Sequence, residues 1–215
     1  MKIVKPSVDL RWITPKPADA IASAARLCYK STGNGAESDA KLIESLIKNG
    51  HHAMLEHACA SFHIITDRGI ANELVRHRIA SYAQESTRYC NYSKQKFGKN
   101  VTFVEPSGLT SWQRFLWKAA CKWSERFYFW LIRAGAPPSI ARSVLHISTK
   151  TEIIITTNLR EFRHICSLRA LNLTGKAHAD MQIIAKQMLD KLYVRAPEVF
   201  HDLYSMKQKQ ESPYV

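Results

Sequence analysis

The sequence has no run of about 18 apolar residues, the length that a membrane-spanning helix needs. Residues 1–6 contain no apolar signal-peptide core. The five cysteines are odd in number and scattered, without a Cys-x-x-Cys pair, which argues against a disulfide framework and against a zinc site. We therefore expect a cytoplasmic protein, or one in the host cytoplasm if the source is viral, with no membrane among its partners.

Two glycine-rich motifs that bind phosphates are also absent. The sequence contains neither Gly-x-Gly-x-x-Gly, typical of dinucleotide-binding folds, nor Gly-x-x-x-x-Gly-Lys-Ser/Thr, typical of P-loop proteins. If this protein binds nucleotides, arginine side chains must contact the phosphates, since a guanidinium group can bind two oxygens at once.

Acidic residues are few relative to basic ones. The 18 Asp and Glu stand against 31 Lys and Arg, which gives a formal net charge of +13 at pH 7. This charge predicts an anionic partner, which could be nucleic acid, a nucleotide, a polyanionic cofactor or a membrane surface. The 46% hydrophobic content is typical of a folded chain, and the length of 215 residues predicts one domain over residues 1–215.

Helical apolar spacing is more frequent along the chain than strand alternation. The predicted helices cover residues 17–29, 110–134, 159–169 and 177–195, with another that begins at a Ser38 cap, a last short one from Pro197, and a frayed tail over 207–213. The β-branched run 152–157 predicts a strand in the middle of a sheet. The strands do not alternate regularly with helices, so the predicted fold is α+β: a helix-rich single domain with a small central mixed or antiparallel sheet.

The predicted helix 110–134 carries an aromatic row. Trp112, Leu116, Trp123, Phe127 and Trp130 recur at helical spacing beside lysines. Such a row could be a base-stacking platform for single-stranded nucleic acid. Buried core is the commoner explanation, and it is the one that we favour.

Arg76, His77 and Arg78 are consecutive, so on a helix their side chains would point about 100° apart. They can contact one ligand only if the helix ends there. The preceding residues 70–75 are mostly apolar, which places the cluster in a packed region where charges need partners, and a bound anion would be one. The following residues 81–88 add hydroxyls, an amide and Arg88, as a second anionic ligand with polar edges would require.

Residues 51–57 contain three histidines and Glu56, which are potential metal ligands. Zinc proteases place them as His-Glu-x-x-His or His-x-x-Glu-His. Here three residues separate His52 from Glu56, so neither pattern is met. We predict no metal site.

Arg76-His77-Arg78, followed by Ser86 and Arg88, resembles the signature of the flavin-dependent thymidylate synthases (the ThyX family). The similarity runs from about Lys41 to Met188, in short pieces at 50–57, 73–89, 141–145, 158–161, 168–169 and 178–185. Each piece alone is weak, but their order and spacing together are specific.

The resemblance implies that dUMP is converted to dTMP with FAD, with methylenetetrahydrofolate as carbon donor and with NADPH as reductant. By the same resemblance, dUMP would contact Glu73, Leu74, Val75, Arg76, Gln84, Glu85, Ser86, Thr87, Arg88, Arg142 and Arg169. FAD would contact Arg76, His77, Arg78, Gln84, Asn158, Leu159, Arg160 and His164. The site where flavin and folate meet would be lined by His51, Ala53 and His178.

Arg169 would be the catalytic residue in this family pattern. Placed at the pyrimidine edge, it would favour ionisation at N3 and so make C5 the nucleophilic carbon. That role needs a fixed positive charge where negative charge develops, and an arginine stays protonated at neutral pH. The resemblance also implies a homotetramer whose sites draw residues from several subunits.

Some positions depart from the commonest family pattern. Glu73 stands where glutamine is often found and Gln84 where glutamate is, while His146 follows Leu145 in place of a proline. Ala53 replaces a hydroxyl residue, and residues 172–176 lengthen the spacing between Arg169 and His178. These departures concern individual contacts and not the type of reaction.

Two other functions would require different sequence features. Thymidylate synthases that act through a nucleophilic cysteine need a Pro-Cys-His context, which no cysteine here has. A basic nucleic-acid-binding module predicts cations spread over one exposed face, whereas the arginines here form short clusters flanked by apolar residues. We favour the flavin-dependent synthase with small-molecule partners and no nucleic acid.

The roles of three residues, Ser86, His178 and Arg142, each have two interpretations. We favour Ser86 as a ligand contact over a nucleophile, since no His-acid pair is placed in sequence to activate it. His178 could be a ligand contact or a helix cap, and Arg142 a ligand contact or a structural ion pair.

Overall fold

Helices form most of the regular structure of the computed structural model, which describes residues 1–33 and 35–212. The helices are α1 (Pro17–Tyr29), α2 (Ala36–Lys48), α3 (Arg68–Leu74), α4 (Ser111–Arg133), α5 (Pro138–Ala141), α6 (Leu159–Ile165), α7 (Ala179–Arg195) and α8 (Pro197–Glu211). The strands are β1 (Lys2–Val4), β2 (Ser7–Ile13), β3 (Cys59–Asp67), β4 (Ser81–Gln84), β5 (Thr102–Val104) and β6 (Lys150–Asn158). The predicted helix-rich α+β class is confirmed.

The strands form two sheets. The larger has the order β2-β3-β6-β4, and the smaller pairs β1 in parallel with β5, with Ile3 opposite Phe103. Strand β6 has neighbours on both sides, as its β-branched sequence predicts. Its side chains alternate between buried and half-buried, and Ile153 and Ile155 are fully buried. Strands β2 and β4 were not predicted, although Ser7–Ile13 alternates polar and apolar residues.

The chain divides into two compact units. One comprises Met1–Ser7, Ile64–Leu74 and Ala83–Ile153, and the other comprises Val8–His63, Val75–Tyr82 and the chain from Ile154 onward. The boundaries fall inside β3, β4 and β6, so each of these strands passes from one unit into the other. The single domain over residues 1–215 stays a prediction.

The core of the first unit forms around one face of α4. Cys121 and Tyr128 pack with Val101, Phe103 and Ala141 in a buried cluster. Thr110 caps the helix, because its side chain accepts a hydrogen bond from the Gln113 N–H while the Gln113 side chain accepts one from the Thr110 N–H. This capping box places the start of the helix one residue after the predicted position.

The predicted buried role of the aromatic row on α4 is wrong. Trp112 is 66% exposed, Trp123 50%, Leu116 49%, and Phe127 and Trp130 48% each. The buried residues of α4 lie on the opposite side of the helix, where Cys121 is about 180° around the axis from Trp112. The apolar spacing was interpreted correctly as helical, but it marks the outer face.

The core of the second unit is built mainly from α6, α7 and α8. Phe62 and Phe162 meet edge to face with ring centroids 5.2 Å apart. The predicted short last helix and frayed tail are wrong up to Glu211, because α8 continues to that residue and Lys186 pairs with it at 2.7 Å. Residue 213 of the predicted tail lies outside the described residues.

Two predicted helix limits also need correction. Ser38 is not the cap of α2 but lies inside the helix, where its hydroxyl accepts a hydrogen bond from Arg26 at 3.1 Å. The predicted helix 159–169 is α-helical only to Ile165 and continues as one π-helical turn over Cys166–Ala170. Glycine and cap residues mark helix ends in sequence, whereas a change of helix type leaves no such marker.

Candidate functional site

The Arg76-His77-Arg78 cluster lies after the end of α3, as the sequence predicts, and before β4. Because these residues lie outside the helix, their three side chains are in different environments. Arg76 and Arg78 are exposed, while His77 is buried, at 6% exposure. The Tyr82 hydroxyl fixes this segment by donating a hydrogen bond to the His77 carbonyl at 2.8 Å.

The His77 side chain connects a carboxylate to an arginine. Its Nδ1 lies 3.3 Å from Oε1 of Glu161, and its Nε2 accepts a hydrogen bond from Nε of Arg169 at 3.2 Å. Glu161 is buried and Arg169 is half-buried. We call Glu161, His77 and Arg169 the buried relay. The relay fixes the Nε side of the Arg169 guanidinium.

The ionisation of His77 supports this arrangement. Burial, together with the positive charges of Arg169 and His164, lowers the pKa of His77 from 6.5 to about 4. The imidazole is therefore neutral at neutral pH, with one donor and one acceptor nitrogen. We assign the proton to Nδ1, facing Glu161, because Nε2 must then accept from Arg169. Burial raises the pKa of Glu161, an effect that the charges of His164 and Arg160 oppose.

A π-helical turn carries Arg169. The Leu171 N–H donates to the Cys166 carbonyl at 3.1 Å, five residues back, which widens the last turn after α6. Cys166 and Ala170 in this turn are fully buried. π-Helical turns of this kind are frequent at functional sites, since they redirect one side chain out of the regular helical repeat.

His77, Glu161 and His164 also form a group of potential metal ligands, whose ligand atoms lie within 4.8 Å of one another. Both nitrogens of His77 already face Arg169 and Glu161, so this residue would have to give up one contact to bind an ion. The donor set therefore fits a hydrogen-bonded relay better than a metal centre. The prediction of no metal stays a prediction.

A cavity of about 470 Å³ opens beside the relay within the second unit. Its wall includes His52, Glu56, Ile79, Asn158, Arg160, Glu161, Arg163, His164 and Ser167. Asn158 caps α6 by accepting a hydrogen bond from the Glu161 N–H at 2.9 Å, so the N-terminus of that helix borders the cavity. Arg160 pairs with Glu56 at 2.5 Å on the exposed rim. Arginine and histidine side chains, an amide, a hydroxyl and the two carboxylates of Glu56 and Glu161 thus surround a space of cofactor size.

The predicted segment after β4 belongs to the first unit and is held by its own contacts. Arg142 donates to Thr87 Oγ1 at 3.1 Å, and Gln84 Nε2 donates to Thr151 Oγ1 at 3.2 Å. The Gln84 contact uses an amide donor, which the glutamate of the commonest family pattern would lack. The Arg142 guanidinium thus donates to a neutral hydroxyl, and no ion pair of Arg142 is seen within residues 1–33 and 35–212.

Glu85 and Ser86 are engaged within the same unit. Glu85 Oε1 accepts from the Tyr92 hydroxyl at 3.0 Å, and its Oε2 lies 3.1 Å from Lys150 Nζ. Ser86 Oγ accepts from the Arg88 N–H at 3.3 Å. The substrate contacts of these residues stay predictions.

Some residues that were predicted to contact a ligand have structural roles. Leu159 is fully buried and its N–H donates to the Ala58 carbonyl at 2.8 Å. His178 caps α7, accepting from the Asp180 N–H at 3.2 Å through Nδ1, as its second interpretation had it. His51 and Ala53 are exposed around the short helix His52–His57. Their ligand contacts stay predictions too.

The His146 departure has a structural explanation. The ring stacks on Phe103 with centroids 4.9 Å apart, and its Nδ1 accepts from the Ser148 N–H at 3.3 Å. A proline at this position could make neither contact. His146 thus gives the core of the first unit two contacts that a proline would not.

Sequence reasoning missed Glu161 as a site residue. It lies three residues before His164 on α6, a spacing that places both side chains on one face. Its carboxylate is the buried partner that the charges near His77 require. The sequence feature that could have identified Glu161 is its i, i+3 spacing to His164 on one helix.

Comparisons with known proteins agree with this architecture. The family model described as thymidylate synthase complementing protein matches residues 10–198. A flavin-dependent thymidylate synthase of Geobacter sulfurreducens is 34% identical over 199 residues, covering 88% of this chain and 83% of that protein. A protein of the same name from Thermococcus kodakarensis is 32% identical over 195 residues, covering 86% of this chain and 78% of that protein.

A solved structure shares the fold. The UMP/dUMP methylase PolB from Streptomyces cacaoi, crystallised with 5-Br dUMP, superposes with a TM-score of 0.80 at 23% identity. The match covers 95% of this chain and 97% of the methylase. At this identity, the likeness supports the fold alone. On the family model and the sequence relatives, the chain belongs to the flavin-dependent thymidylate synthase family.

Proposed function

We propose that this protein is a flavin-dependent thymidylate synthase that methylates dUMP reductively to dTMP. The observation that carries the proposal is the buried relay, which connects Arg169 on a π-helical turn to Glu161 in the wall of a cavity of cofactor size. The membership of the family and the names of its members support the same reaction.

The cavity fits a flavin dinucleotide by the chemistry of its wall. FAD would supply the hydride and the carbon-carrying chemistry that no side chain can provide. Arg160 and His164, both in the wall of the cavity, would contact its diphosphate. The exposed Arg76 and Arg78 would add charge from the turn before β4.

The relay would act on the pyrimidine. Glu161 holds the His77 proton on Nδ1, and Nε2 then holds the Nε–H of Arg169, so the guanidinium cannot rotate away. The terminal N–H groups of Arg169 would face the oxygen and nitrogen of dUMP where negative charge develops on ionisation at N3. A donor that is already oriented stabilises that charge without further rearrangement.

The remaining assignments come from the family resemblance. They comprise FAD as the flavin, NADPH as reductant, methylenetetrahydrofolate as carbon donor, a homotetramer and a cytoplasmic location. The Gln84–Arg88 segment and Arg142 would hold dUMP through their remaining hydrogen-bonding groups. No helix within residues 1–33 and 35–212 is long and apolar enough to cross a membrane.

The proposal is tested by flavin uptake and turnover. We expect the purified protein to bind added FAD with a visible absorbance spectrum that bleaches when NADPH is added with dUMP present. Adding methylenetetrahydrofolate should then yield dTMP, detected by chromatography. A protein that takes up no FAD and forms no dTMP would contradict the assignment, and salt-dependent nucleic-acid binding would then support the basic-module alternative.

Arg160→Ala should weaken FAD binding about tenfold or more, since a charged hydrogen-bond donor to phosphate is lost. The dissociation constant is measured by fluorescence quenching of the added flavin. Arg195→Ala, which removes an exposed arginine from the end of α7, is the control and should leave the constant unchanged. Equal affinities in both variants would remove Arg160 from the cofactor contacts.

A further inference from the structure

The exposed side of α4 combines apolar and cationic groups in an ordered arrangement. The aromatic face consists of Trp112, Leu116, Trp123, Phe127 and Trp130, all about half exposed or more. From Trp112 to Trp130 it extends about 27 Å along the helix. Phe115 stacks on Trp112 at the edge of this face, with centroids 5.4 Å apart.

A row of cations follows one flank of the aromatic face. Lys118, Lys122 and Arg126 are four residues apart and therefore lie one above the other, and Arg133 lies on the same flank. All four side chains are exposed, and within residues 1–33 and 35–212 no carboxylate pairs with them. The one acidic residue of α4, Glu125, is buried and pairs with the N-terminal amine at 2.9 Å.

We propose that the aromatic face of α4 and its cation row bind an anionic lipid surface peripherally. Tryptophan and phenylalanine favour the boundary between headgroups and acyl chains, and lysine and arginine favour anionic headgroups. A helix that lies parallel to the membrane surface can place its aromatic side at this boundary while its basic flank contacts the anionic headgroups. This proposal departs from the sequence-based expectation of no membrane partner.

The ring geometry disfavours single-stranded nucleic acid as the partner. Phe127 and Trp130 meet edge to face at 5.1 Å, Trp123 and Trp130 at 6.4 Å, and the Arg126 guanidinium covers the Trp123 ring at 5.0 Å. Base stacking needs free ring faces along a basic groove. On α4, neighbouring side chains cover part of these ring faces, and the rings lie on the convex surface of a helix and not in a groove.

A second copy of the chain is disfavoured by charge. Two aromatic faces packed on each other would bring two cation rows together without intervening acids. An anionic lipid surface satisfies the apolar and the charged groups together.

The test is co-flotation of the full-length protein with vesicles, combined with tryptophan fluorescence. Vesicles of phosphatidylglycerol and phosphatidylcholine in equal amounts should carry the protein at 0.1 M salt and shift its emission to the blue. Pure phosphatidylcholine vesicles, or 0.5 M salt, should reduce the bound fraction about tenfold.

Two pairs of substitutions separate the two contributions. Trp123→Ser with Trp130→Ser removes apolar contacts, and Lys122→Gln with Arg126→Gln removes charge; each pair should lower the vesicle partition coefficient about tenfold. Trp12→Ser on β2 is the apolar control, since Trp12 is as exposed as Trp130 at 48%. Lys41→Gln with Lys48→Gln on α2 removes the same charge elsewhere. Both controls should bind as wild type does, and all four proteins should keep the wild-type rate of dTMP formation.

Three outcomes would overturn the proposal. The first is no flotation of wild type with anionic vesicles, or flotation that the α4 variants share with their controls. The second is wild-type binding to oligothymidylate, weakened by the α4 variants, without vesicle binding. The third is a fall in solution mass of the α4 variants by light scattering, which would assign the face to a second copy. If the tryptophan pair fails to fold, the exposed charge pair decides the test alone.

Discussion

Arg169→Lys is expected to lower kcat for dTMP formation by about a hundred- to a thousandfold, the effect of removing one oriented donor from a charge-stabilising site. Lysine keeps the positive charge but has no Nε–H for His77 and no planar fork. The remaining charge is therefore no longer held in one direction. Steady-state kinetics of dTMP formation with dUMP as the varied substrate measures this change.

The control for this prediction is Arg26→Lys. Arg26 binds Asp39 and Ser38 between α1 and α2, so its replacement alters a structural arginine of the same unit. We expect kcat to be unchanged in this variant and FAD affinity to be unchanged in both. A near-normal kcat for Arg169→Lys would show that charge alone suffices and that the relay does not orient the reacting group.

Acidification from pH 6.5 to 4 is expected to destabilise wild type by about 3 kcal/mol more than His77→Gln. Folding lowers the pKa of His77 from 6.5 to about 4, so the unfolded chain binds more protons between these values. The stability from this residue is therefore complete above pH 6.5 and is lost as the pH falls towards 4. Glutamine at this position does not titrate and can still accept from Arg169 through its amide oxygen.

The measurement is urea unfolding at several pH values between 7 and 4, at a fixed protein concentration. Arg169, Glu161 and His164 surround the imidazole and remain in both proteins, so the difference between the two curves isolates His77. His201→Gln, which removes an exposed histidine from α8, should keep the wild-type dependence. Parallel curves for wild type and His77→Gln would show that His77 titrates as it does in the unfolded chain.

Local sequence patterns predicted the elements that depend on local chemistry. Helix α1 begins at Pro17 and ends at Tyr29 as predicted, because proline at the first turn and a continuous apolar stripe fix its limits. The end of α3 before Arg76 followed from the incompatibility of three adjacent charged side chains with one helical face. The strand over residues 152–157 followed from its β-branched run.

Predictions failed where distant residues decide the outcome. Periodicity showed that Trp123 and Trp130 share one face of α4, but the face that meets the core is chosen by Val101, Phe103 and the other residues packed against Cys121 and Tyr128. At the end of α8, Glu211 likewise pairs with a distant residue, Lys186 on α7. A tail of lysines and glutamines has no local pattern that would reveal this partner.

The amino-acid sequence alone determined the basic charge, the helix-rich class and the Arg76-His77-Arg78 signature, since these depend on residue types and short spacings. Only the tertiary structure decided how the signature is used. His77 and Arg169 are 92 positions apart, and their hydrogen bond exists because α3 ends before the cluster and a π-helical turn redirects Arg169. The partner carboxylate, Glu161, enters the relay because α6 and the 75–82 segment pack within the same unit, which no local pattern encodes.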